Sequence, residues 1–483
     1  MAWCFAAASH ALGRRGLVIA WVALGAAGFP GGSQAAVDSP YFSSAPLALY
    51  ATASAPRVAE GSDVDIVELH ESYVFEADGS DLYTQYFLYK ILSPAAAQRW
   101  KQLAIEWSPW RDEKPTMRAR VITADGKEYK LDQATIADSP AHVGDPTLYG
   151  DARSLRAPLP AVAPGAVVET QIVLRERPPF AGAGKVGRSI FQMDDPIQHF
   201  RLTLQAPKTL SLRYRLDLLP RLSPAHSEES GSERWVFDSG PIPAGEDVPP
   251  GLPADVATYP MVTFSTGSSW RVLAEEYYKI VAARLAEADV NELVARLTKG
   301  RSTREAKAEA IIEYLNQEIR YTGIEFDQAS VVPHSVAETL SRKYGDCKDK
   351  SLLLVAMLRA AGIPANVALL NAGERMDVPG ELPGIGLFDH VIVYVPGDPV
   401  LWVDATDEYA RLGQLRDDDH GRQALIVAPD TAALTRVIEA RSVEDSQVPG
   451  RPVAFIAARN GEPPGRSVYQ ERVIRCISGR WRT

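Results

Sequence analysis

The 483-residue chain has only 3 cysteines, at positions 4, 347 and 476, too few for a disulfide framework. It also lacks an excess of positive charge: 51 Lys and Arg face 61 Asp and Glu, a formal net charge of −10. That balance argues against nucleic acid or an anionic membrane as the main partner. No apolar run reaches the ~20 residues of a membrane-spanning helix. Internal repeats and long low-complexity tracts are absent, which sets aside repeat architectures. There is no G-x-S-x-G elbow, no Walker A loop and no zinc-ligand spacing. The reading therefore calls for no cofactor and no metal.

The remainder is ordinary for globular protein, with 46% hydrophobic and 23% charged residues and length for two or three domains. The N-terminus reads as a targeting segment. Arg14 and Arg15 precede the short apolar run "GLVIAWVALGAAGF", and "PGGSQAA" then supplies small residues for cleavage after Ala35. A signal peptide over 1–35 implies a periplasmic or secreted protein with no membrane span in the mature chain. Export leaves Cys347 and Cys476 in an oxidising compartment, where a lone thiol is a liability unless buried or used.

From about Asp63 to Asp238 the chain reads as strands. "TQYFLYKIL" and "RARVITADGKEYKL" alternate apolar and polar residues, the second broken by the turn signal Asp125-Gly126. "AVVETQIVLRE", "FRLTLQ", "LSLRYRLDL" and "RWVFD" continue the pattern, which predicts an antiparallel β-sandwich over 36–240. A Pro/Gly-rich linker is expected over 241–268, with six prolines between Pro241 and Pro260. Helical periodicity takes over near Ser269, with capping boxes at Ser302–Glu305 and Ser335–Glu338. Strands "NVALL", "DHVIVYV", "LWVDAT" and "QALIVAP" follow, so 269–448 is expected to be an α+β domain. The stretch 449–483 holds seven arginines, no lysine and two acids, and reads as a disordered or aberrant basic tail. Cys476, inside it, receives no role.

One stretch carries chemistry. In "KYGDCKDKSLLLVAMLRAAGIP", Asp346 is an N-cap residue and Asp349 adds a carboxylate in the first turn. Leu352, Leu353, Ala356, Met357 and Ala360 recur at helical spacing, and Gly362 with Pro364 forms a stop signal. The helix should run from about Cys347 to Ala361. A thiol at a helix N-terminus favours its thiolate form, although a small buried hydrophobe there is an equally good reading of the stretch alone. A catalytic thiol needs a base and an orienting group. His390 opens "DHVIVYV", and Asp404 lies in "LWVDAT" fourteen residues on, so adjacent antiparallel strands would set imidazole and carboxylate side by side.

"YGDCKDKSLLLVAMLRAAGIPA", "FDHVIVYV" and "LWVDAT", in that order, resemble the core of the bacterial transglutaminase-like superfamily, related to papain-like thiol enzymes, over roughly Trp270 to Arg436. The resemblance implies Cys347 as nucleophile, His390 as general base and acid, and Asp404 as the residue orienting His390. Upstream, "ADGKEYKL" and "LYGDARSLRAPLPAVAPGAVVETQIVL" resemble the domain of unknown function 3857, which brings no activity with it.

The fold expected is thus an all-β sandwich-like domain followed by an α+β transglutaminase-like domain. The function expected is thiol-dependent acyl transfer on amide bonds of a protein or peptide substrate, as a cysteine peptidase or amidase. Transglutamination and a non-catalytic assembly role are the alternatives. The Cys347 backbone N–H is one expected oxyanion donor, and Gln328, Tyr321 and Tyr344 compete for the second. "DDDH", Asp417 to His420, reads as a solvated loop, and Ser239 in "FDSGPI" lacks a partnered histidine.

Overall fold

The computed structural model describes residues 41–438, apart from 56–61, 142–147, 179–183, 247, 249–251, 253, 374–375 and 410. The expected signal peptide (1–35), Cys4, Cys476 and the basic tail lie outside the described residues.

The period-2 patterning of the first half is realised as an eight-stranded sheet. Its strands run in the order Ala225–Glu229, Ser232–Ser239, Ile197–Pro207, Val64–Phe75, Asp81–Ile91, Val167–Glu176, Thr116–Ile122 and Glu128–Lys130. The turn at Asp125-Gly126 joins the last two, with Gly126 at φ 78°, where a left-handed residue is needed. Two three-stranded sheets complete the region: Val186–Ile190, Met261–Ser265 and Arg213–Asp217 in one, Gln102–Trp107, Arg153–Pro158 and Ala137–Pro140 in the other. Tyr73, Phe75 and Leu204 of the large sheet share a core with Val262 and Phe264 of the first small sheet.

Two expectations need correction. The sandwich is not wholly antiparallel: Val64–Phe75 and Ile197–Pro207 pair in parallel, from Ile66↔Ile197 to Val74↔Gln205. A parallel pair needs a crossover of a dozen or more residues, and the intervening strands supply it. The 241–268 stretch is not all linker either. Met261–Ser265 is the central strand of a small sheet and is buried at every residue. Its uncharged sequence, MVTFS, fits a strand covered on both faces.

The second half is α+β. Helices Trp270–Ala286, Asn291–Leu297, Arg304–Glu318, Val336–Arg342 and Cys347–Ala360 accompany a five-stranded antiparallel sheet. Its order is Leu401–Val403, His390–Val395, Asn366–Leu370, Gln423–Ile426 and Thr435–Arg436. Ser269 and Ser335 cap their helices by accepting from Val272 N and Glu338 N, each at 3.2 Å. For Arg304–Glu318 the cap is Thr303, one residue past the expected Ser302. The helix Cys347–Ala360 packs against the strand His390–Val395 and the four other helices of this half, at the centre of its core.

The halves are joined by more than the chain. Leu148–Gly150 pairs in parallel with Gly323–Glu325. The segment leading into His390 rests on the small sheet: Arg188 donates to Asp377 O at 2.5 Å, Arg215 Nη1 lies 3.0 Å from Glu381 Oε1, and Ser265 donates to Pro383 O. A Cβ on Gly384 or Gly386 would meet Val186 at 2.7 and 2.4 Å, so these glycines permit a close approach. Among the described residues, no helix is long and apolar enough to cross a membrane.

Candidate active site

Cys347 is the first residue of its helix, as its sequence implies, and has no exposed surface. The N-cap is Asp346, whose Oδ1 accepts from Lys348 N at 3.1 Å and Asp349 N at 3.2 Å. The cap satisfies two of the donors that the first turn leaves unpaired. The turn's polar side chains are buried with it, each with a partner. Lys348 Nζ contacts Asp346 Oδ2, and Lys350 Nζ donates to Ile319 O at 2.8 Å. Asp349 accepts from His334 N at 2.8 Å and faces His334 Nδ1 at 3.0 Å. That hydrogen bond holds the His334 ring above its usual pKa. Gly345 is required by space: a Cβ there would lie 2.6 Å from Asp349 Cβ. The apolar periodicity found only one buried face, whereas every residue from Cys347 to Leu358 is buried.

His390 begins its strand and Asp404 directly follows the next one. The two strands pair antiparallel through Val393↔Val403 and Val395↔Leu401. This pairing brings His390 Nε2 to 3.2 Å from Asp404 Oδ2. Burial pushes the Asp404 carboxyl up, but the His390 ring and hydrogen bonds from Thr406 N (2.8 Å) and Oγ1 (2.7 Å) outweigh it. Asp404 is therefore held well below the usual carboxylate range and stays ionised. Ser351, one helical turn beyond Cys347, donates to Val391 O at 3.0 Å, which ties the start of the helix to the start of His390's strand. Asn371 donates to Leu387 O at 2.8 Å, and Asp389 accepts from Ala372 N (2.7 Å) and Gly373 N (2.9 Å). These bonds close the base of the loop that delivers His390.

The "DDDH" reading needs correction. Asp417 and Asp418 are exposed, but Asp419, on the same 3-10 turn, has no exposed surface. Single atoms of His390, Asp404 and Asp419 all lie within 4.8 Å of one another. Burial, then the charge of Asp404, pushes the Asp419 carboxyl up to about 7. Sequence reasoning missed it because an acidic run ordinarily marks a solvated face. Arg416 Nη1, 3.9 Å from Asp404 Oδ2, adds a cation at the rim. Of the oxyanion candidates, Tyr321 and Tyr344 lie on a short parallel ladder leading into Cys347, while Gln328 sits exposed on a 3-10 turn.

Comparisons with known proteins agree with this architecture. Residues 77–246 match the model of a domain of unknown function, DUF3857, and 291–404 match the transglutaminase-like superfamily. No curated protein matches the sequence. Among solved structures, a candidate protease from Parabacteroides distasonis is 16% identical with a TM-score of 0.57, over 73% of this chain and 72% of that one. At that identity the likeness bears on the fold alone. A candidate cysteine protease from Cytophaga hutchinsonii is 11% identical over 71% of this chain and 86% of that one, with a TM-score of 0.20 too low to carry an argument. The chain thus joins a region that matches DUF3857 to a region that matches the transglutaminase-like superfamily.

Proposed function

We propose that the chain is an exported thiol enzyme that hydrolyses amide bonds in a protein or peptide, with Cys347, His390 and Asp404 as its triad. Cys347 is the nucleophile. The helix N-terminus and a protonated His390 favour its thiolate. Asp404, ionised, faces Nε2 and leaves Nδ1 of His390 as the nitrogen that serves the thiol. The thiolate attacks the amide carbonyl carbon, and imidazolium gives its proton to the departing amine nitrogen as the C–N bond breaks. The resulting thioester is then attacked by water, whose proton passes to His390. The C–S bond breaks and thiolate and imidazolium are restored. The Cys347 backbone N–H is one donor to the oxyanion.

The observation that carries this reading is the 3.2 Å pair His390–Asp404, with the strand that His390 begins packed against the helix that Cys347 opens. The superfamily match supports the same class of chemistry. Because Cys347 has no exposed surface, a neighbouring segment must yield to admit substrate. An electrophilic peptide probe, followed by peptide mapping, tests the proposal. The expected result is modification at Cys347 in the native chain, strongly reduced by His390→Ala. Modification only after unfolding would favour a non-catalytic assembly role.

A further inference from the structure

A second group of chemistry-bearing side chains lies on the large sheet of the first half. Glu68 and His70 are alternate residues of the strand Val64–Phe75 and share a face, and His199, on the neighbouring strand, stands in register with Glu68. Glu68 Oε2 lies 2.8 Å from His70 Nε2 and 2.5 Å from His199 Nδ1. All three donor atoms fall within 4.8 Å of one another. All three residues are partly exposed, so solutes can reach them.

The outer partners make this more than a surface ion pair. His70 Nδ1 is 3.0 Å from the Tyr41 hydroxyl, and His199 Nε2 is 2.8 Å from Asp238 Oδ1. Asp238 is in turn gripped by Arg201 through Nε at 2.8 Å and Nη2 at 3.1 Å. Each imidazole is thus oriented through one nitrogen and turns the other towards a single carboxylate oxygen. Metal-binding histidines are held in this way, with the outer nitrogen bonded to a carboxylate or another polar group. One divalent ion seated between these atoms would take Nε2 of His70, Nδ1 of His199 and Oε2 of Glu68 as its ligands.

We propose that Glu68, His70 and His199 form a metal site for a zinc-class divalent ion, which ties the two parallel strands together and is separate from the candidate thiol centre. Two imidazoles and one carboxylate suit Zn2+, with water in the fourth position. Bonds of ~2.0 to 2.2 Å to each donor require the donors to stand about 3.3 Å apart. The two contacts to Glu68, at 2.8 and 2.5 Å, reach that by opening less than about 1 Å, within the freedom of a partly exposed glutamate. Tyr41 and Asp238 act as positioning residues.

The test uses the full chain after chelation, titrated with Zn2+ by calorimetry and with Co2+ by visible absorption. The expected result is one equivalent of Zn2+ that survives Cys347→Ala and His390→Ala, weakens at least 100-fold in His70→Gln and His199→Gln, and weakens 10- to 100-fold in Asp238→Asn. Metal-free His70→Gln and His199→Gln should melt with the metal-free parent, which separates lost ligation from lost folding. Co2+ should give tetrahedral nitrogen–oxygen bands without a thiolate charge-transfer band. Three results would overturn the proposal: no binding tighter than about 100 μM, binding undiminished in His199→Gln, or a metal lost with Cys347 or His390.

Discussion

The carboxylates of Asp404 and Asp419 approach within 4.8 Å of each other with no exposed surface on either residue. Two like charges so placed cannot both be held cheaply. Asp404 keeps its charge because His390 and Thr406 stabilise it, and Asp419 takes up the proton, with its pKa pushed up to about 7.

A pH dependence of stability follows. The folded value of Asp419 lies above the unfolded value of 3.8, so the folded chain holds the extra proton between those two pH values. Stability therefore falls as pH rises from about 4 to about 7. Asp419→Asn cannot ionise, so its stability relative to the parent should climb across that window. At pH 8 the variant should be ahead by about 1 to 3 kcal/mol in urea unfolding. A difference that stays constant with pH would show that Asp419 does not titrate there.

The proposed triad predicts a non-additive series. Cys347→Ala and His390→Ala should each abolish turnover, and the double variant should be no worse than either. Asp404→Ala should cost roughly 10³- to 10⁴-fold and leave a residue of activity, because orientation is lost while nucleophile and base remain. Losses that simply multiply would mean that the three residues do not act as a unit.

The sandwich should matter for the delivery of His390. Arg188 is 4% exposed and its guanidinium holds Asp377 O from across the boundary between the halves. Arg188→Ala should destabilise the full chain by about 1 to 3 kcal/mol. It should also speed amide exchange over residues 377–389 and slow turnover. Unchanged exchange in that segment would show that the small sheet does not hold the loop.

Local grammar determined a good part of this protein. The cap at Asp346, the helix from Cys347, the alternating strands and the turn at Asp125-Gly126 all rest on contacts within a few residues, which spacing and side-chain type encode directly. The order Cys347, His390, Asp404 could also be read, because each sits at the end of a regular element whose limits are local. What the tertiary structure alone decided depends on residues far apart in the chain. The strand Met261–Ser265 hid behind six prolines because its partners lie at Val186–Ile190 and Arg213–Asp217. Asp419 looked solvated because the groups it faces, Asp404 and His390, come from elsewhere in the chain, at the ends of two strands. Glu68, His70 and His199 met only because two strands separated by more than a hundred residues pair in parallel. Register between distant strands is set by the packing of whole faces, and no short window of sequence contains it.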